Sequence, residues 1–425
     1  MKKSLFIYYL SIGIRGFTLI SKFVFIILLA KLLQSSDLGV YGLISAAVGY
    51  AIFAIGFEFY TYSTREIINS KSDDLFFILK NQSFFYVLSY IFYIPIFIVI
   101  QHYSFLPHGS EYWFLAILFF EHIAQEINRI LITLENQAFA SLVLFIRQGL
   151  WCWLVIAIML LFPTSRNLFI VFTLWLFGTF CASAMGFFYI LKNNKRKFTS
   201  PFSWRWIMRG IILSAPMLIA ALALRGFFTF DRFAVEHIAG LKILGVYTLF
   251  ISMTAAIQSF LDTILISFSF PKLAKLCYRK DYIGFIAGMK SFAFKLIAVS
   301  LLLCICCFFT GYILIQWIGK IEYWELLPLF QLLIVATFIY CLSLIPHLGL
   351  YALRKDKMIV WSQCLTFLLF SSFLYIALKV ANINYIAYGM IISFSVLLFL
   401  KLAMFIKLLV IIRRSAGESL FYSNR

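Results

Sequence analysis

Residues 8–33 read YYLSIGIRGFTLISKFVFIILLAKLL. At about 1.5 Å per residue a helix of this length crosses a hydrocarbon core of about 30 Å with residues to spare. The apolar stretch is too long for the core of a signal peptide, and no small-residue cleavage pattern precedes Gln34-Ser35-Ser36, so it reads as an uncleaved first span. Yet it carries Arg15 and Lys22 well inside the apolar run and contains no acid. A span that keeps cations is the feature from which the rest of the chain is read.

Composition extends the first span to the whole molecule. Of 425 residues, 63% are hydrophobic and 12% charged, with a mean hydropathy of +0.97. Soluble domains carry about 25% charged residues, so a chain this apolar has no surface to show to water. Apolar runs at 8–33, 40–62, 83–106, 111–134, 139–162, 167–191, 210–233, 244–270, 291–318, 325–351, 358–380 and 385–412 predict an all-α polytopic membrane protein of about twelve transmembrane helices. The connections are short, the longest running from Lys192 to Arg209, so function must sit between helices. Pro95, Pro216 and Pro346 fall within spans and are expected to kink them.

Lys and Arg in the loops set the orientation. With the N-terminus inside, the cytoplasmic segments hold Lys2, Lys3, Arg65, Lys71, Lys80, Lys192, Lys195, Arg196, Lys197, Arg205, Arg209, Lys272, Lys275, Arg279, Lys280, Arg354, Lys355, Lys357, Lys407, Arg413, Arg414 and Arg425. The opposite face holds only Lys31, Arg166, Lys242, Lys320 and Lys379. That asymmetry predicts both termini in the cytoplasm. It also accounts for much of the formal net charge of +19, which topology and anionic headgroups explain better than nucleic acid.

The chain repeats itself. Arg15-Gly16-Phe17 followed by Lys22-Phe23 recurs as Arg225-Gly226-Phe227 followed by Arg232-Phe233, and Leu38-Gly39-Val40-Tyr41 recurs as Leu244-Gly245-Val246-Tyr247. Two matches in order, half a chain apart, point to two six-helix lobes related by a parallel internal repeat, an arrangement known among transporters. The lobes are expected at 1–197 and 198–425, joined through the basic segment 192–209.

Nine further cations lie within apolar runs: Arg15, Lys22, Arg129, Arg147, Arg225, Arg232, Lys290, Lys295 and Lys401. Each costs roughly 2.5–3.5 kcal/mol at mid-membrane on insertion scales. Lys290, Lys295 and Lys401 are expected to snorkel to the cytoplasmic face. The other six sit deeper, against the acids Glu58, Glu121, Glu126, Asp231 and Asp262. Arg15 and Lys22 lie two helical turns apart on one face, as do Arg225 and Arg232, so two cationic columns are expected to line a cleft shared by the lobes. Pairing of each cation with a carboxylate such as Glu58 or Asp262, as a helix lock, is the competing reading. The fourth span adds a polar face: Glu121, His122, Gln125, Glu126, Asn128 and Arg129 fall within an arc of about 160° at about 100° per residue. That face is expected to meet water or substrate, with Ile123, Ala124, Ile127, Ile130 and Leu131 opposite.

These residues point to an anionic cargo, because the planar guanidinium binds phosphate oxygens two at a time and stays charged. No metal site is indicated: His122 stands with an Arg near it, and the cysteines, Cys304, Cys306 and Cys307 included, lie in apolar runs where they pack as small hydrophobes. No nucleophile–base pair, Gly-rich phosphate loop or cofactor motif is visible, and the aromatic residues mostly face lipid and neighbouring helices, with some able to stack on sugar rings.

Several segments resemble the O-antigen and polysaccharide flippases (the Wzx type) of the multidrug/oligosaccharidyl-lipid/polysaccharide exporter superfamily. They are Leu33–Leu43, Phe59–Glu66, Glu121–Arg129, Arg147–Trp151 and Pro216 followed by Asp231-Arg232. The resemblance implies alternating access through a cationic central cavity and a cargo of undecaprenyl-pyrophosphate-linked oligosaccharide moved from the cytoplasmic to the periplasmic leaflet of a bacterial inner membrane. It implies ion coupling, for which Glu58, Asp231 and Asp262 are candidates, and working partners in the polysaccharide polymerase and chain-length machinery. Two alternatives stay open: a cation-coupled multidrug exporter of the same superfamily, and an integral-membrane polysaccharide polymerase, against which the small outer loops and the half-chain repeat count.

Overall fold

The computed structural model describes residues 2–69, 75–103, 105–193 and 201–423, and among them there is no strand. The first helices are α1 (Lys2–Leu32), α2 (Ser35–Gly56), α3 (Tyr60–Asn69), α4 (Leu75–Gln101), α5 (Glu111–Thr133), α6 (Gln137–Phe145), α7 (Trp151–Leu161) and α8 (Leu168–Asn193). They are followed by α9 (Trp204–Phe227), α10 (Phe230–Leu261), α11 (Ser267–Tyr278), α12 (Tyr282–Ile318), α13 (Ile321–Glu325), α14 (Leu327–Ala352), α15 (Asp356–Val380) and α16 (Asn384–Ser423). A π-turn at Ile146–Leu150 joins α6 to α7, and another at Asp262–Ile266 joins α10 to α11.

Ten segments among the described residues are long and apolar enough to cross a membrane. One of them, Trp204–Leu261, is 58 residues long and holds two spans, because the helix axis breaks at Gly240. Gly240 has φ 77° and ψ 174°, a conformation only glycine adopts at little cost. The charged helix α5 is the remaining span, giving about twelve as the sequence predicts. The helices continue through Pro95, Pro216 and Pro346. Where the sequence suggests plain loops after the second and eighth spans, the structure has α3 and α11, which carry Arg65, Lys272 and Lys275 on helices. Of the orienting cations, Lys71, Lys195, Arg196, Lys197 and Arg425 lie outside the described residues.

The repeat in the sequence has a structural counterpart in chain order. Leu38-Gly39-Val40-Tyr41 opens α2, and Leu244-Gly245-Val246-Tyr247 follows the Gly240 break. Each of these helices then meets an irregularity with an acid at it: the Phe57–Phe59 turn with Glu58, and the π-turn that begins at Asp262.

The chain divides into two compact units, Met1–Arg225 and Gly226–Arg425. The division falls near the end of α9, later than the 197/198 boundary expected from the basic linker, and position 197 itself lies outside the described residues. The reason is packing. Ile207 of α9 is buried in a cluster with Phe59, Tyr62 and Phe85, and Gly210 lets the backbone of α9 approach Phe59 and Tyr62. In the first unit α5 is central: Ala124, Ile127 and Leu131 close a core with Ala140 and Val143 of α6 and Ala182 and Ile190 of α8. The apolar side of α5, expected to face lipid or packed helices, is therefore packed against helices.

In the second unit α14 and α16 approach closely, and a Cβ at Gly349 of α14 would overlap the ring of Phe405 on α16. Gly349→Val is expected to cost about 1–3 kcal/mol by overpacking, measured as a lowered melting temperature of the purified protein in detergent. An unchanged melting temperature would show that this contact yields freely.

Candidate functional site

The polar interior of the first unit begins at the break after α2. Phe57 and Glu58 adopt left-handed φ values of 53° and 52° in succession. Such conformations cost non-glycine residues of order 1–3 kcal/mol each and persist only where surroundings hold them. Here Phe59 is wholly buried and stacks on Phe85 with ring centroids 4.4 Å apart. The break turns Glu58 inward, where it is buried and hydrogen-bonded to Tyr60, with Arg129, Arg225 and Glu126 as its ionised neighbours.

From α5 come two buried carboxylates one helical turn and a little more apart. Glu121 forms an ion pair with Arg147, Oε2 to Nε 3.2 Å, and accepts from the Trp175 indole at 3.3 Å. Arg147 sits in the π-turn between α6 and α7, a widened turn of the kind that recurs at functional sites. Glu126 pairs with Arg129 and accepts from the Tyr86 hydroxyl at 2.6 Å and the Gln82 amide at 3.0 Å. The Arg129 guanidinium lies 3.5 Å from the centroid of the Tyr60 ring, a cation–π contact. His122 Nδ1 is 3.2 Å from the Tyr90 hydroxyl, and Asn128 donates to the Ala140 carbonyl.

The polar face of α5 was expected to meet water or substrate. In the structure Glu121, His122, Glu126 and Asn128 are buried, and only Gln125 and Arg129 are partly accessible. Periodicity identifies a polar face but not its neighbour, and here the neighbours are polar groups of α4, α6 and α8. The helix-lock reading accordingly fits Arg147, whereas Arg129 pairs with Glu126 one turn away on the same helix. The remaining candidates on this unit are more open. Arg15 is half-buried and its Nε donates to Ser141 at 3.1 Å. Lys22 is exposed, yet Glu121, Arg147 and Cys152 all act on it electrostatically. Arg225 is exposed and lies over the Phe53 ring at 4.2 Å. Across this interior five cations (Arg15, Lys22, Arg129, Arg147 and Arg225) stand against three carboxylates (Glu58, Glu121 and Glu126). A cavity of about 650 Å³ lies beside the network, with Gln82, Tyr86, Tyr90, His122 and Glu126 among otherwise largely apolar walls.

The second unit is arranged differently. Asp231 is wholly buried and accepts from the Tyr247 hydroxyl at 2.7 Å, tying the two arms of α10 across the Gly240 break. Arg232 beside it is half-buried. Asp262 is exposed at the π-turn and lines a cavity of about 340 Å³ with Gln258, Tyr340 and His347. Lys401, expected to snorkel, is instead 2% exposed, with its Nζ 3.3 Å from His347 Nδ1. It lies mid-helix among packed neighbours, whereas Lys290 and Lys295 are exposed.

Several polar residues escaped the sequence reading. Gln82, Tyr86 and Tyr90 recur every fourth position on α4, a helical stripe that an inspection for polar as well as charged residues would have found. His347 and Lys401 are 54 residues apart and carry no local signal of their pairing.

No protein-family model and no curated protein sequence matches the chain. Solved structures do. An inward-facing conformation of a multidrug resistance MATE family transporter of the MOP superfamily superposes with a TM-score of 0.73 at 10% identity, covering 96% of this chain and 95% of the other. An outward-facing conformation of a multidrug resistance MATE family transporter of that superfamily gives 0.55 at 13%, covering 96% of each. MATE in complex with MaD3S gives 0.58 at 10%, covering 95% and 94%. The chain therefore has the fold of these transporters, and the likeness is one of fold.

Breaking the Glu121–Arg147 pair on one side should be worse than removing both charges. Glu121→Gln is expected to destabilise by about 3–5 kcal/mol by leaving Arg147 buried without its counter-ion, and Glu121→Gln with Arg147→Met to recover most of that. Thermal melting of the three purified proteins measures it. Equal melting temperatures would show the pair to be solvated.

Proposed function

We propose that this protein is a membrane transporter working by alternating exposure of a polar site to the two sides of the bilayer, and that its cargo is an undecaprenyl-pyrophosphate-linked oligosaccharide. The observation that carries the cargo reading is the positive surplus in the first unit. Arg129 and Arg147 are matched by Glu126 and Glu121. Arg15, Lys22 and Arg225 add positive charge around Glu58, and Lys22 and Arg225 are accessible. A pyrophosphate offers the counter-charge and the oxygen geometry that such groups bind. Arg232 is a further candidate contact for the anionic cargo. Glu58 is the coupling residue in this account, since a buried carboxylate on a strained break changes its hydrogen bonds and the local backbone together on taking up a cation or proton. Asp231 is committed to Tyr247. Both termini are placed in the cytoplasm of a bacterial inner membrane, with the polymerase and chain-length machinery receiving the product.

A second reading, a cation-coupled multidrug exporter, is favoured by the names of the transporters that share the fold and by Asp262 in a cavity bordered by aromatic rings. One experiment separates the two. On deletion of the gene, polymerised surface glycan is expected to disappear while complete lipid-linked repeat units accumulate on the cytoplasmic leaflet. Intact envelope glycan with increased susceptibility to cationic drugs would favour the exporter, and unpolymerised single repeats at the outer surface would make the protein a polymerase.

A further inference from the structure

The second unit contains a built cavity that the cationic residues of the proposed cargo path do not explain. Its volume of about 340 Å³ falls within the range of small-molecule sites, about 300–1,000 Å³. It is walled by the end of α10, the Asp262–Ile266 π-turn, α11 and α14. Its polar groups are Gln258, Asp262, Ser267, Tyr340, His347 and Tyr351. The Gln258 amide donates to the Tyr340 hydroxyl at 3.3 Å. Phe270 and Tyr351 stack with centroids 4.9 Å apart and planes 25° from parallel, and the His347 ring lies 10° from the plane of Tyr351.

Lys401 supports this wall from behind. It is almost wholly buried and its Nζ lies 3.3 Å from His347 Nδ1. In the tautomer in which Lys401 donates, Nδ1 accepts and the ring hydrogen resides on Nε2. In that tautomer the lysine holds His347 as a hydrogen-bond donor within a cavity-lining side chain. The cavity is lined by one charged side chain, Asp262, with Lys401 behind His347 and outside the lining. It offers donors and acceptors at several points beside flat aromatic faces, which is the complement of a pyranose ring, with hydroxyls around its edge and C–H groups on its face.

We propose that this cavity is a saccharide-binding site. Asp262 and Gln258 hydrogen-bond sugar hydroxyls, His347 donates through Nε2, the Phe270–Tyr351 pair carries the apolar face of the ring, and Lys401 is a positioning residue acting through His347. This deepens the glycan reading and rests on it for the physiological ligand, while sugar binding itself is measurable apart from transport.

The test uses the full-length protein in lipid nanodiscs and saturation-transfer NMR with methyl glycosides of glucose, galactose, rhamnose and N-acetylglucosamine, with tetraphenylphosphonium as the cationic probe. At least one glycoside is expected to receive saturation. The signal is expected to fall to background in Tyr351→Ala and Asp262→Asn, both at exposed positions whose change does not empty the core. Lys401→Met is expected to weaken binding about tenfold, the loss of one charge-assisted hydrogen bond. Lys401→Arg is expected to restore binding, an effect that simple filling of volume would not produce. The proposal is overturned if no glycoside binds, if binding survives both cavity variants undiminished, or if only tetraphenylphosphonium binds and does so through Asp262. Glycoside binding together with intact envelope glycan after gene deletion would sink the transport reading and leave the site standing. Lost glycan together with undiminished binding in the cavity variants would do the reverse.

Discussion

An ionised group inside a bilayer must find its counter-charge or its water within the protein, and the architecture of the first unit follows from that requirement. Glu121 and Glu126 on α5 gather Arg147, Trp175, Tyr86 and Gln82 from three other elements of the unit, and Arg129 from α5 itself. These contacts are weak evidence for stability relative to a well-packed apolar core, because desolvation of the charges offsets much of their attraction. They fix which helices meet and in what register. They also hold Arg129 and Arg147 to carboxylates, with Lys22 and Arg225 accessible beside them.

Helix irregularities mark the same places as the charges. Glu58 stands at a two-residue left-handed break, Arg147 in one π-turn and Asp262 at the start of another. Each irregularity frees backbone groups from the regular ladder and costs energy that a uniform span would not spend. In both halves of the chain the span that opens with Leu-Gly-Val-Tyr carries such an irregularity near its far end with an acid at it. The duplicated feature links the repeat seen in the sequence to the chemistry, since it is where a change of ligand at one carboxylate alters the local helix geometry.

The fold was largely legible, because hydropathy and span length are local properties: the twelve apolar runs and the paired motifs suffice to give about twelve helices. The exceptions have physical causes. Gly240 breaks a helix that propensity alone would continue, and α3 and α11 extend spans past the apolar runs on residues too polar to be counted as membrane. The site was legible only by residue type. The deep cations and acids announce themselves by their cost, but which cation meets which acid depends on helix rotation and packing. The polar arc of α5 was real, but its partners were not legible, because a polar face buried against polar neighbours has the same period as one facing water. Lys401 shows the same limit: its partner His347 is a separate helix away, so nothing local distinguishes a buried lysine from a snorkelling one.

The first unit keeps accessible cations beside buried ion pairs, and the second holds an aromatic cavity with Asp262 in its lining. The proposed cargo, an anionic carrier group with sugars attached, is open to direct test. The most direct measurement is translocation by the purified protein in proteoliposomes, using fluorescent undecaprenyl-pyrophosphate-linked oligosaccharide and a membrane-impermeant glycosidase to report the leaflet. Protein-dependent exchange of the glycolipid, lost in folded Lys22→Ala and Arg225→Ala variants, is the predicted result. Exchange undiminished in both variants, or proteoliposomes that move organic cations and leave the glycolipid in place, would contradict it.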